Sequence, residues 1–148
     1  MDLTAQINED IKNAMKAKEK EKLAALRAIK SALLLESTKG GDKGIDEATG
    51  MKILQKLHKQ RIEAAEIFKE QGRKEQFDEE MLQAGVIESY LPAKMSTEEL
   101  DAALKNIIQE IGASSPADMG KVMGLASKKL AGKADGKEIS DRVKQLLA

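Results

Sequence analysis

An all-α fold is predicted by three observations. The chain is rich in Ala, Leu, Lys, Glu and Met, residues that lose little conformational freedom on entering a helix. Apolar residues recur at spacings of three and four through nearly its whole length, and no alternating stretch suggests a strand. Glycines, prolines and capping residues punctuate that pattern at helix-length intervals.

Leu3, Ile7, Ile11 and Ala14 share one helical face and predict a first helix. A second is expected from about Lys18 to Ser37, with Leu23, Leu26, Ile29 and Leu33 turned inward. The glycines and aspartates of TKGGDKGID predict a loop. Asp46 is placed to cap a third helix reaching Gln71 and stopping at Gly72, with Leu54, Leu57, Ala64 and Phe68 as its buried stripe. Phe77, Met81 and Ala84 mark a fourth, which must finish before Pro92 because proline disfavours helix in the residue preceding it. The sequence YLPAKMS therefore divides the chain into a four-helix lobe, 1–92, and a three-helix domain, 93–148.

In that second domain, Ser96 and Glu99 form a capping box that opens a helix lined by Leu100, Leu104, Ile107 and Ile111 and closed at Gly112. Ser115, Pro116 and Asp118 supply an N-cap, a proline at the first position and an acid in the first turn. Met119, Met123, Ala126 and Leu130 then face inward, at core spacing rather than as a metal box. Gly132 ends this helix, Asp135 caps the last, and Ile139, Val143 and Leu146 pack it down.

Composition removes many function classes. The absence of cysteine excludes thiolate chemistry, disulfides and Cys-based metal sites, and a single histidine, His58, leaves no His-rich centre. The 25 basic and 25 acidic residues cancel, so no global field draws nucleic acid or membrane. Phe68, Phe77 and Tyr90 are too few to form a stacking platform for single-stranded bases. Motifs of hydrolases, zincins, EF-hands, dinucleotide folds and P-loops are missing. We expect no catalytic residue, metal or cofactor. The start MDLTAQINED has no basic segment followed by an apolar run, and no stretch is long enough to span a bilayer, so a cytoplasmic protein with no membrane contact is expected. The mixed-sign surface suggests a monomer.

Three sets of residues could carry function. Lys52, Lys56 and Lys59 recur at i, i+4 and i+7, a stripe about 10 Å long that suits two or three phosphates. The bland alternative is a solvated face, and His58 lies off the stripe. Arg61 falls by helical angle within the apolar face beside Leu57 and Phe68, where a charge must be paired. Arg27 and Lys30 flank the second helix's apolar stripe. Glu36, Glu79 and Glu80 are possible partners; a structural ion pair between helices is the preferred reading, and an anion-binding groove the alternative. The third set lies in 118–137. Lys121 and Lys128 fall opposite the Met119/Met123/Leu130 stripe, with Lys129, Lys133 and Lys137 around the Gly132–Gly136 turn. Gly120 and Gly124 expose helix backbone at about 1 kcal/mol each against alanine. Either a neighbouring helix or a nucleic-acid backbone is expected to approach them.

Taken together, AMKAKEKEKLAALRAIKSAL, KLHKQRIEAAEIF, ESYLP and DMGKVM…GKADGKEISDRVKQLL resemble the YqeY family along essentially the whole chain. The resemblance implies an all-α N-terminal bundle and a small three-helix domain similar to the C-terminal tail of the B subunit of glutamine-dependent aspartyl/glutamyl-tRNA amidotransferase. That tail grips tRNA, while the chemistry resides in other domains and a partner subunit. Met119, Gly120, Lys121, Val122 and Met123 match its motif, so by analogy Lys121, Lys128, Lys129 and Lys133 are RNA-contact candidates. Lys59, Gln60 and Arg61 match the family's N-terminal motif, for which the resemblance supplies no role. No glutaminase domain, Ser-Ser-Lys amidase centre or kinase-like ATP-binding domain is present. The expected function is a tRNA-binding accessory module, holding structured RNA by its phosphates and without chemistry of its own. A carbon–nitrogen ligase using glutamine as amido donor within an amidotransferase system is a second reading. An adaptor that recruits an amidotransferase or synthetase is a third.

Overall fold

The computed structural model describes residues 2–39 and 45–148. Helix-forming composition is realised throughout: the described residues hold seven α-helices, one 3₁₀ turn and no strand. The helices are α1 (Leu3–Ala17), α2 (Lys20–Lys39), α3 (Glu47–Glu70), α4 (Lys74–Glu88), α5 (Thr97–Ile111), α6 (Met119–Lys129) and α7 (Gly136–Leu147), with the 3₁₀ turn at Pro116–Asp118. The chain divides into two compact units, Met1–Leu91 and Pro92–Ala148. Of the segment expected as a loop, Thr38 and Lys39 continue α2, and residues 40–44 lie outside the described residues.

Within Met1–Leu91, the helices are started by side chains that meet orphan backbone donors. The Asp2 and Asp46 carboxylates each accept a backbone N–H at 2.7 Å, from Ala5 and Thr49, fixing the starts of α1 and α3. α3 and α4 form the most extensive pairing, while α2 packs on α1 and α4. Ile7, Ala14, Leu26, Ile29, Leu33, Leu54 and Ile87 form the core. The buried line of α3 runs from Leu54 to Ala65, three full turns apart, so Ala65 rather than Ala64 is sealed, and Leu57 and Phe68 are half-buried. Met81, expected inward, is 40% exposed, because the α4 face that seals the core carries Ala84 and Ile87. At the end of α4, the Tyr90 hydroxyl donates to the Asp10 carboxylate of α1, which ties the chain back across the unit. Burial first, and then that carboxylate, push the Tyr90 phenol well above its ordinary value, so the ring stays neutral.

The turn from α1 to α2 carries a correctable strain. Lys18 closes α1 in the left-handed region, φ 58°, with its N–H directed to the carbonyls of Ala14 and Met15. A side chain there is crowded by its own carbonyl, whereas glycine is not. Lys18→Gly is expected to stabilise this unit by about 1 kcal/mol, read as a higher midpoint in urea unfolding with unchanged slope.

In Pro92–Ala148 the core is Leu100, Leu104, Ile107, Val122, Ala126, Leu130, Ala134, Ile139, Val143 and Leu147. Ser96 accepts the Glu99 N–H at 3.1 Å, and its hydroxyl donates to the Glu99 carboxylate at 3.2 Å. At the other end Gly112 adopts φ 70°, the left-handed C-cap that lets its N–H reach back to the last carbonyls. Five expectations change here. Ile111 is 37% exposed, at the frayed end of its stripe. Val122 occupies the centre of the α6 contact, leaving Met119 and Met123 half-buried at its edge. Leu147, not Leu146, is buried in α7. Finally, Ser115 makes no side-chain cap: the Asp118 carboxylate instead reaches back to the Ser114 N–H at 3.0 Å, because the chain enters α6 through the 3₁₀ turn. Asp135 likewise precedes α7 without a side-chain cap bond.

Candidate nucleic-acid interface

Helical geometry decides what α6 can present. Val122 and Ala126 point into the core, so the opposite side of an 11-residue helix must face solvent. On that side lie Gly120, Lys121, Gly124 and Lys128, all exposed. A methyl group built on either glycine meets nothing within 4 Å among the described residues, so no described helix of their own unit explains them, contrary to one of the two expectations. The pair leaves bare helix backbone on the same side of α6 as two exposed lysines. Lys121 and Lys128 make no ion pair among the described residues. Lys121 nevertheless helps, after the backbone bonds, to hold the Asp118 carboxyl below its usual range. The other lysines differ. Lys129 is engaged with Glu110 of α5 at 2.9 Å, which answers its charge, while Lys133 and Lys137 are exposed.

On α3, Lys52, Lys56 and Lys59 are exposed along one face. The same face continues into exposed Glu63, Glu66 and Glu70, so the basic stripe is half of a longer charged line. Arg61 points elsewhere, to α4. Its Nη1 lies 3.0 Å from Glu80 Oε2, off the N–H direction, and donates to Oε1 at 3.4 Å. Glu80 is thus the partner among the three acids considered. His58 lies 3.8 Å from Glu88, a second approach of α3 to α4. Arg27 is exposed, Lys30 half-buried, and neither joins Arg61 among the described residues; Glu36 pairs within α2 to Lys39 at 3.6 Å.

Sequence reasoning missed the best-formed ion pair. Arg142 of α7 grips Asp101 of α5 with two bonds, Nε at 2.7 Å and Nη2 at 2.6 Å, and also donates to Gln145 at 2.7 Å. In the sequence Asp101 is legible only as an acid near a helix start. The Arg142 bond holds the Asp101 carboxyl below the usual range. A carboxylate depressed in the folded state stabilises above its unfolded pKa, and that help is lost as pH falls through the folded value. Thermal melts of this unit should therefore weaken below about pH 4, and Asp101→Asn should flatten the dependence.

A cleft of about 650 Å³ opens in the first unit beside Leu3, Leu33, Met51 and Tyr90. Its Asp2 and Asp46 are already the helix caps described above. Among the described residues, no group of three or more His, Asp or Glu is placed to hold a metal ion, and no helix is long and apolar enough to cross a membrane.

These features define a small all-helical protein in two compact units, with an exposed lysine-and-glycine face on the second. The chain belongs to the YqeY family: the family model described as Yqey-like protein matches residues 4–147. Among curated proteins it is similar to "Altered inheritance of mitochondria protein 41, mitochondrial" of Kluyveromyces lactis, 26% identical over 146 residues, covering 97% of this chain and 75% of that protein. The protein of the same name in Eremothecium gossypii is 30% identical over 112 residues, covering 74% of this chain and 61% of the relative. That of Lachancea thermotolerans is 27% identical over 119 residues, covering 79% and 64%. The matches thus reach less than two-thirds of the latter two relatives. The cytoplasmic expectation is corrected by these names, which all read mitochondrial. The physical reason it failed is plain: a cysteine-free, charge-balanced helical chain is as compatible with an organelle interior as with the cytosol.

Proposed function

We propose that this protein binds folded tRNA through the exposed face of α6, as an accessory to tRNA-dependent amidation rather than as the enzyme. The supporting observation is the exposed pair Gly120 and Gly124, which share with exposed Lys121 and Lys128 the side of α6 opposite its core. Two glycines in a short helix weaken it, and no described residue of their own unit packs into the space they leave. Bare backbone beside two exposed lysines suits a phosphate chain approached closely, held by charge and shape rather than by base edges. The few aromatics agree with a folded RNA rather than splayed bases. Lys129, already paired with Glu110, and Lys133 stand at the edge of this contact. The α3 lysines carry less of it, because Glu63, Glu66 and Glu70 on the same face would repel the same phosphates.

Filter binding of tRNA across a salt series tests the proposal. Gly120→Ala with Gly124→Ala should stabilise the unit by about 1 kcal/mol per site while weakening RNA binding several-fold. Gly85→Ala is the control: it sits in α4 with the same open surroundings and should leave binding unchanged. Wild-type protein that shows no salt-dependent binding above a neutral control protein sinks the idea.

A further inference from the structure

The solvent face of α3 is a two-fold charge pattern. Opposite the Leu54–Ala65 core line its six exposed charged positions are Lys52, Lys56 and Lys59, then Glu63, Glu66 and Glu70, with Gln60 and Ile67 exposed along one edge of the same face. They are spaced symmetrically about the level of Arg61, so reversing the helix end for end places each lysine where a glutamate stood. Within one chain, of these six only Lys59 and Glu63 are opposite charges at helical spacing, and the other neighbours repel. Lys52 and Lys56, Lys56 and Lys59, Glu63 and Glu66, and Glu66 and Glu70 are like-charge neighbours at helical spacing. Glu66 and Glu70 also sit near the C-terminus of α3, where the helix field disfavours acids. None of the six takes part in an ion pair among the described residues.

We infer that α3 is an antiparallel self-association surface, on which a second copy of this chain docks its own α3. Antiparallel, Lys52 meets Glu70, Lys56 meets Glu66 and Lys59 meets Glu63 of the second copy, and symmetry doubles each pair. Parallel docking sets lysine against lysine, so the pattern selects orientation as well as partner. At an interaxial spacing of about 8–10 Å, these long side chains bridge the two helices. Ile67, 54% exposed, lies on the edge of the face nearest Lys56, where it would rest against the aliphatic stem of Lys56 of the second copy. Exposed ion pairs contribute little each and are screened by salt, so the dimer is weak and salt-sensitive. It replaces the monomer expected from the mixed-sign surface.

Sedimentation velocity of the full chain, treated with nuclease, tests this. At about 0.02 M salt the weight-average sedimentation coefficient should rise with protein concentration. Raising salt to about 0.5 M, where charges more than about 4 Å apart are screened, should weaken association at least tenfold. The triple variants K52E/K56E/K59E and E63K/E66K/E70K should each be monomeric alone, yet sediment as a dimer when mixed. The six-fold exchange of all these charges should self-associate like wild type, which separates broken pairing from failed folding. Orientation is read by crosslinking, since the chain has no cysteine. A short bifunctional maleimide should join two copies of Gln60→Cys, near the two-fold axis. It should not join Gln71→Cys, whose copies would lie about 30 Å apart. A wild type that stays monomeric in low salt overturns the inference, including the case in which K52E/K56E/K59E merely loses RNA binding. So does association that survives either triple reversal, or equal crosslinking at both cysteines.

Discussion

Leu104→Ala is expected to unfold Pro92–Ala148 near room temperature while leaving α1–α4 folded. Leu104 has no exposure and lies at the centre of α5, whose face meets both α6 and α7. Truncating a buried leucine removes about 2–5 kcal/mol, the transfer term plus the cavity left behind. At about 0.05–0.15 kcal/mol per residue, a unit of this size has only about 3–9 kcal/mol in total. The variant should therefore show two separated unfolding transitions by calorimetry, with the second unchanged from wild type. A single cooperative transition shifted as a whole would mean that the two units are energetically one.

Reversing Lys121 and Lys128 to glutamate should reduce tRNA affinity by about tenfold or more at moderate salt. It should also reduce the slope of log K against log salt by about 2, one for each phosphate that is no longer neutralised. Both side chains are exposed, so stability should hold. The matched control is Lys105→Glu with Lys144→Glu, the same change of net charge on α5 and α7 of the same unit. A small effect in the control locates the RNA on α6. Equal reductions in both would indicate only a general field and remove the case for a site.

How far the molecule is legible varies with the interaction. Leu26, Ile29, Leu54, Leu100 and Leu104 are found from spacing because burial of a helix face is a local, periodic property. So are the caps Asp46 and Ser96, which act within four residues of themselves. The errors cluster where a neighbour decides. Ala65 replaces Ala64 and Val122 displaces the methionines because helix packing, not hydrophobicity, selects which of two adjacent apolar residues is sealed. Arg61 is recognisable as needing a partner, yet Glu36, Glu79 and Glu80 are equivalent until α4 is laid against α3. Arg142 and Asp101 give no signal, being 41 residues apart on two helices.

The candidate face shows the same division. The lysines and glycines of 118–137 stand out in the chain, because their types and periodicity are written there. Their accessibility is not: whether Gly120 and Gly124 make room for a helix or for solvent depends on what packs beside them, and within their own unit no described residue comes within 4 Å of a methyl group built there. The helical class, the capped starts of α3 and α5 and the apolar stripe of each helix follow from local propensity and a 3.6-residue period, while the residue sealed within a stripe is chosen by packing. Partners across 19 to 80 residues, Arg61 with Glu80 and Tyr90 with Asp10, follow only from tertiary structure. Local rules fix where a side chain points around its own helix axis; which other helix it meets depends on how the helices pack.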